Sequence, residues 1–129
     1  MADYSNSKFE VTKLSERIYK IKPAEGLEIC VADALELRAV LLNLSGGGPF
    51  ALILDATGAF NVDDDARKLL ASEEFTNTRK ALAIVTNTLV QRLVGNFFIQ
   101  VNKPASPTRL FKDESSAFDW LLEQMKKHL

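Results

Sequence analysis

Short apolar segments along the chain predict five strands. Residues 9–13 and 17–22 are rich in Val, Ile, Phe and Tyr and are separated by three residues, which predicts an antiparallel hairpin. Residues 50–54 and 81–85 are continuous apolar runs, as is typical of strands that are covered on both faces of a sheet. Residues 108–111 predict a last short strand.

Longer segments between these strands predict four helices, because they are dense in Ala and Leu or repeat their apolar residues at helical spacing. These helices cover residues 31–44, 63–72, 88–101 and 114–129. The order ββαβαβαβα predicts an α/β fold with right-handed crossovers. We expect one domain over residues 8–129, after a flexible N-terminus over residues 1–7. Its sheet should be mostly parallel, with four to five strands and an antiparallel edge hairpin.

The third predicted helix has one wide apolar stripe, which we expect to pack on the sheet. The stripe consists of Leu89, Val90, Leu93, Val94, Phe97, Phe98 and Val101. Ile99 points away from the stripe and lies near Gly95 on the helical wheel, while Trp120 lies off the stripe of the last helix. For Ile99 and for Trp120, we expect either that a neighbouring loop covers the side chain or that the side chain contacts a protein or a ligand.

Composition and charge exclude several classes of protein. The 129 residues carry 16 basic and 17 acidic side chains, so there is no basic excess of the kind that nucleic-acid binding uses. No apolar run approaches the roughly 20 residues of a membrane span. Cys30 is the only cysteine and the first residues lack a signal-peptide pattern, so we expect a reducing, cytoplasmic setting.

Acidic residues follow the strand over residues 50–54, at the sheet edge where open α/β folds bind ligands. The stretch contains Asp55, Thr57, Gly58, Asp63, Asp64 and Asp65. Adjacent helix residues point about 100° apart, so the Asp triplet cannot face one ion as a unit. We expect helix capping and a solvated acidic patch, with metal or phosphoryl chemistry at Asp55 and the triplet as the alternative.

Side chains suited to nucleophilic catalysis are scarce. His128 is the only histidine and the penultimate residue, and the acidic neighbours of Cys30 oppose a thiolate. The glycines at residues 46–48 lack the Lys-Ser or Lys-Thr of a phosphate-binding loop, so they predict a helix stop. We predict no catalytic residue, no cofactor and no metal.

The stretch over residues 52–66 reads Leu-Ile-Leu-Asp-Ala-Thr-Gly-Ala-Phe-Asn-Val-Asp-Asp-Asp-Ala. With this order of elements, the chain resembles the STAS domain found in anti-anti-sigma factors and on sulphate transporters. Residues 79–85 and 92–98 look like the branch of small stand-alone bacterial proteins described as SpoIIAA-like or STAS/SEC14-like. The resemblance covers nearly the whole chain and implies the fold of that family.

In anti-anti-sigma factors, the equivalent stretch ends in Asp-Ser-Ser-Gly, and a partner kinase phosphorylates the second Ser. Aligned without a gap, Asp63 matches the Asp, Asp64 and Asp65 replace the serines, and Ala66 replaces the Gly. Asp65 therefore occupies the phosphoserine position, where a Ser kinase finds no hydroxyl. It imitates at most part of a phosphate charge, or it serves only in helix capping.

The resemblance implies a non-catalytic, cytoplasmic regulatory module that binds a protein partner or itself. The expected partner surface is Thr57, Gly58, Asp63, Asp64 and Asp65. The expected self-association surface of a homo-oligomer is Gly95, Phe98 and Ile99. The alternative function is a small carrier that binds an apolar, lipid-like ligand between the sheet and the third helix, with a pocket lined by Leu93, Val94, Phe97 and Phe98.

Overall fold

The computed structural model describes residues 2–128, which form eight strands and five α-helices. The strands are β1 (Tyr4–Ser5), β2 (Phe9–Ser15), β3 (Ile18–Pro23), β4 (Glu28–Ile29), β5 (Phe50–Asp55), β6 (Asn61–Val62), β7 (Arg79–Val85) and β8 (Thr108–Phe111). The helices are α1 (Val31–Ser45), α2 (Asp64–Ala71), α3 (Glu73–Thr76), α4 (Leu89–Phe97) and α5 (Glu114–Met125). A π-helical turn (Phe98–Asn102) continues α4, and a 3-10 turn (Lys126–His128) follows α5.

The main sheet has six strands in the order β1-β2-β3-β5-β7-β8. The first three strands are antiparallel, whereas β3, β5, β7 and β8 are parallel to one another. The predicted α/β class, the parallel part and the antiparallel edge hairpin are confirmed. The extra strand is β1, in which Tyr4 and Ser5 pair with Val11 and Glu10 inside the segment expected to be flexible. The flexibility of residues 1–7 and the domain bounds stay predictions.

A second, two-stranded sheet joins two loops that are distant in sequence. In it, β4 and β6 run parallel, with Glu28 opposite Asn61 and Ile29 opposite Val62. The Gly26 amide also donates to the Ala59 carbonyl at 2.6 Å. This small sheet was not predicted, because each strand has only two residues and its partner lies more than thirty positions away.

The glycine run ends α1, as predicted. Gly46 adopts a left-handed conformation with φ of 67°, which favours glycine at a helix C-terminus. The Gly47 amide donates to the Leu42 carbonyl at 2.9 Å and satisfies one of the last carbonyls of the helix. The run therefore stops a helix and does not form a phosphate-binding loop.

The two faces of the main sheet are covered differently. On one face, Ala81 and Ala83 pack against Leu121 and Met125 of α5. The other face carries larger residues such as Leu82 and is covered by α1, α2 and α4. Trp120, which lies off the stripe of α5, packs against Phe111 with ring centroids 5.5 Å apart. None of the described helices combines the length and the apolar character needed to cross a membrane.

The prediction that the apolar stripe of α4 packs on the sheet is wrong for most of its members. Six of its residues are exposed, from 49% for Phe97 to 69% for Val90: Leu89, Val90, Leu93, Val94, Phe97 and Val101. Gly95 of α4 and Phe98 of the π-helical turn are buried instead. A Cβ atom at Gly95 would lie 2.6 Å from Cδ2 of Leu110, so α4 approaches strand β8 at its smallest residue. This close approach rotates the larger residues towards solvent.

Substitution of Leu121 tests whether α5 packs on the sheet as described. The Leu121 side chain is fully buried, so Leu121→Ala should lower the free energy of unfolding by about 2–5 kcal/mol through lost contacts and a new cavity. The neighbouring Leu122 is 42% exposed, and Leu122→Ala should change it by less than about 1 kcal/mol. Urea denaturation measures both values, and equal losses would contradict this packing.

Candidate functional site

Side chains do not fill the space between the sheet and the helices α1, α2 and α4. This space is a cavity of about 680 Å³, which is within the range of small-molecule sites in proteins. Its lining is mainly apolar, with contributions from β3, β5 and β7 on one side and from the three helices on the other. The apolar lining includes Ile21, Leu37, Leu52, Leu54, Leu70, Leu82, Ile84 and Phe98.

The cavity opens beside α4. Val90 and Val94 line it, yet both side chains are more than half exposed, so they lie at its mouth. The first turn of α4 is fixed to the loop after β5, because Gln91 Nε2 donates to the Thr57 carbonyl at 2.9 Å. Residues of the second sheet, including Asn61, form a further wall.

A buried carboxylate, Asp33, also lines the cavity, but its hydrogen bonds come from the protein. Its Oδ1 lies 2.5 Å from Lys8 Nζ, and its Oδ2 accepts from the Cys30 amide at 3.1 Å and from Cys30 Sγ at 3.3 Å. The hydrogen bond from Lys8 and those from Cys30 hold the pKa of Asp33 below its usual range, although burial opposes this. Asp33 is therefore an ionised group that fixes the start of α1.

Two arginines line the cavity in different surroundings. Arg67 donates to the Val62 carbonyl at 2.5 Å, pairs with Asp64, and lies 5.5 Å from the ring centroid of Phe97. Arg79 is only 4% exposed, and its Nη2 donates to the Leu70 carbonyl at 2.7 Å. Arg67 thus links α2 to α4, whereas Arg79 brings a positive charge to a buried part of the wall.

Comparison with known proteins places the chain in a family. The family model described as "Domain of unknown function (DUF7793)" matches residues 12–125. The chain belongs to the DUF7793 family. Comparison of this DUF7793 chain with curated proteins gives no significant match.

Among solved structures, the DUF7793 chain is similar to an uncharacterized protein of the DUF3478 family with a SpoIIAA-like fold, from Shewanella loihica PV-4. The two chains are 16% identical, the TM-score is 0.63, and the match covers 92% of this chain and 98% of that one. At this identity, the similarity shows the fold alone. It confirms the SpoIIAA-like fold that the sequence resemblance implied.

The acidic residues of the DUF7793 chain are distributed around the start of α2. Asp63 caps this helix, because its Oδ1 accepts from the Ala66 amide at 2.8 Å, which confirms the capping role expected there. Asp64 pairs with Arg67, and Asp65 is exposed. Thr57 and Gly58 line the cavity. Whether these five predicted residues bind a partner stays a prediction.

The carboxylate of Asp55 is bonded to neighbouring groups of the protein. Its Oδ1 accepts from the Thr57 amide at 3.1 Å and from Thr57 Oγ1 at 2.5 Å, and its Oδ2 lies 3.6 Å from Lys22 Nζ. Burial opposes ionisation, but the bonds from Thr57 and the charges of Lys22 and Lys20 leave the pKa of Asp55 below its usual value. Over residues 2–128, no group of three or more His, Cys, Asp or Glu side chains is placed to hold a metal ion. Among these residues, no such cluster supports the alternative of metal chemistry.

The residues predicted on α4 divide into two groups. Of the four proposed to line a pocket, Val94 and Phe98 border the cavity, whereas Leu93 and Phe97 are exposed and do not. The three proposed for self-association also differ. Gly95 and Phe98 are buried, and Ile99 is partly buried. The side of α4 that faces solvent is therefore the apolar stripe and not the side around Gly95.

Sequence reasoning missed Arg79 as a residue of the site. The pairing of β5 with β7 shifts register, since Phe50 lies opposite Arg79 but Ala51 lies opposite Ala81. The extra residue is Lys80. It forms a bulge, a device that redirects side chains, and Arg79 thereby shares the cavity face with Leu82. The signal in the sequence is a basic residue at the start of an apolar strand, and simple alternation places it on the opposite face.

The lowered pKa of Asp33 predicts that part of the protein's stability depends on pH. A carboxylate whose pKa is lowered by folding contributes stability above its unfolded pKa, and this contribution is lost as the pH falls. Asp33→Asn should therefore lower the urea midpoint at pH 7, and the difference from wild type should shrink as the pH falls below about 4. Urea denaturation at several pH values measures this, with exposed Asp119→Asn as the control. A difference that does not change with pH would show that the charge of Asp33 has no such role.

Proposed function

We propose that this protein is a non-catalytic carrier that binds one apolar or amphipathic ligand between the sheet and the helices α1, α2 and α4. The observation that carries the proposal is the cavity of about 680 Å³, with its mainly apolar lining and its mouth beside α4. Because the cavity opens to solvent, its apolar lining is accessible to water, and burial of such surface by an apolar ligand is favourable. A ligand of this kind would also pack against side chains from both walls.

The carrier was the alternative function expected from the sequence, and we now place it before the module that binds a protein partner. Two features of the structure support the change. The cavity extends far beyond the α4 residues that were expected to line it, because α1 and α2 also contribute walls. The acidic start of α2, which was expected to bind a partner, is partly occupied by capping at Asp63 and by the pair of Asp64 with Arg67.

The polar groups around the cavity support binding more than catalysis. Asp33 is fixed by Lys8 and Cys30, and the Thr57 carbonyl accepts from Gln91. General acid–base catalysis requires a group that is free to exchange a proton with a substrate. The carboxylate of Asp33, held ionised by its partners, is poorly suited to that task.

A neutral fluorescent probe tests the carrier. N-phenylnaphthylamine, which fluoresces in apolar surroundings, should bind the wild-type protein. Val94→Trp places an indole at the mouth of the cavity, so it should weaken this binding about tenfold through steric crowding. Fluorescence titration gives the dissociation constants.

Leu93→Trp is the matched control for this titration. Leu93 is on the same helix and is exposed to a similar extent as Val94, but it does not line the cavity. This variant should bind the probe as the wild type does. Equal weakening by both variants would place the probe on the outer surface of α4, and no binding to the wild type would refute the carrier.

We propose protein binding through α4 as a second candidate function. The six exposed residues of its apolar stripe lie on α4 and on the π-helical turn that continues it, and exposed apolar surface of this kind marks interaction sites. The stripe replaces Gly95 and Phe98, which are buried, as the proposed surface for self-association. Asp65 and Asp64 remain the exposed residues of the proposed partner surface on α2.

Light scattering tests self-association and separates the two surfaces. If the stripe joins two copies, the wild type should have the mass of a dimer, and Leu93→Glu should reduce it to that of a monomer. If the start of α2 forms the contact, the double variant Asp64→Lys and Asp65→Lys should reduce the mass, whereas Leu93→Glu should not. A monomeric wild type would contradict self-association through either surface.

A further inference from the structure

Arg79 is a buried cation without a carboxylate partner in the described part of the chain. Its side chain is 4% exposed, and none of the ion pairs within 4.0 Å over residues 2–128 includes it. Its Nε is buried and has no hydrogen-bond partner there. Buried charges are normally paired, because removal of an ion from water has a large free-energy cost.

One nitrogen of the Arg79 guanidinium has a hydrogen-bond partner in the protein. Nη2 donates to the carbonyl of Leu70, which is in the last turn of α2. Carbonyls at a helix C-terminus carry a partial negative charge, so this contact has a structural role. A guanidinium has five donors, however, and one carbonyl does not neutralise a full charge.

The remaining charged groups of the cavity wall are engaged elsewhere. Asp33 binds Lys8 and Cys30, and Glu25 Oε2 accepts from the Ala59 amide. Arg67 at α2 has the Val62 carbonyl, Asp64 and the ring of Phe97. Arg79 is therefore the cation of the wall for which the protein supplies no anion over residues 2–128.

Most residues that share a space with Arg79 are apolar. Leu37, Leu52 and Leu70 line both the cavity and a smaller space together with Arg79, and Arg38 is the other cation of that smaller space. Burial lowers the pKa of Arg79 to about 10, so the side chain is still protonated at neutral pH. The wall thus combines a large apolar surface with one positive charge, which has donors in a planar fork that matches a carboxylate.

Resting on the carrier function proposed above, we infer that the ligand is an amphiphile of the fatty-acid class, with its carboxylate on Arg79 and its apolar chain along the cavity. A single carboxylate matches the one charge of the cavity wall that has no counter-ion among residues 2–128, and it carries less charge into the buried site than a phosphate does. The chain would extend between the leucines of the wall towards the mouth at Val90 and Val94.

Competition with the neutral probe tests the headgroup separately from the cavity. Laurate and dodecanol have the same chain, but only laurate carries a charge at pH 8. Each displaces N-phenylnaphthylamine from the wild type if the carrier is correct, and laurate should bind at least about tenfold more tightly if Arg79 holds the carboxylate.

Arg79→Met removes the charge and keeps a long apolar side chain. It should bring the affinity for laurate down to that for dodecanol, so that the preference for the charged ligand disappears. Laurate should raise the melting temperature of the wild type more than dodecanol does, and this difference should vanish in the variant. Lys80→Met removes a charge next to Arg79 on the same strand but outside the cavity wall, so it should retain the preference for laurate.

The possible failures are distinguishable. If the probe does not bind the wild type, the carrier and the carboxylate site are both refuted. If laurate and dodecanol displace the probe equally from the wild type, the carrier stands and the carboxylate site is refuted, even where Arg79→Met does not fold. A preference for laurate that survives Arg79→Met, or that is lost equally in Lys80→Met, excludes Arg79 as the headgroup site.

Discussion

Close packing of α5 on one face of the sheet determines how the protein is layered. Ala51, Ala81 and Ala83 leave room on this face for Leu121 and Met125, which pack in one cluster with Ile18, Ile53 and Val85. The opposite face carries larger residues and is shared among α1, α2 and α4. Of these, α4 comes close to the sheet where Gly95 meets Leu110 of the edge strand β8. The middle of this face therefore borders a cavity, whereas the other face of the sheet is covered by α5.

The orientation of α4 connects the cavity to the outer surface. Val90 and Val94 belong both to the exposed stripe and to the mouth, and Phe97 contacts Arg67 from α2. A partner that covered the stripe would cover the mouth as well, and a ligand in the mouth would change the surface that a partner meets. The two proposed functions therefore share residues, and binding at one site must affect the free energy of binding at the other.

The sequence predicts elements well where the local pattern decides the structure. The apolar runs of β5 and β7, the Asp63 cap of α2 and the stop at Gly46 all depend on neighbouring residues, and the structure has them in the expected places. The small sheet of β4 and β6 depends on two loops that meet only after folding. Such long-range pairing leaves little trace in a local pattern.

The candidate site was harder to predict for two physical reasons. Periodicity identifies the apolar side of α4, but it does not say whether that side faces the sheet or solvent. In the structure, α4 approaches strand β8 at Gly95, and the apolar side faces solvent. Alternation along β7 places Arg79 on the face of Ala81, and the bulge at Lys80 moves it to the face of Leu82. Both errors concern residues that border the cavity.

The cavity and the buried charge of Arg79 are two costs to the stability of the fold at one place. Apolar side chains that line an open cavity forgo packing contacts, and a buried guanidinium without a counter-ion among residues 2–128 forgoes hydration. An apolar ligand would offset the first cost alone, and an anion such as acetate would offset the second alone. A molecule with an apolar chain and an anionic headgroup offsets both costs. Its binding free energy would therefore have two sources, the apolar lining of the cavity and the charge of Arg79. This coincidence within one cavity is the physical reason to expect an anionic amphiphile there.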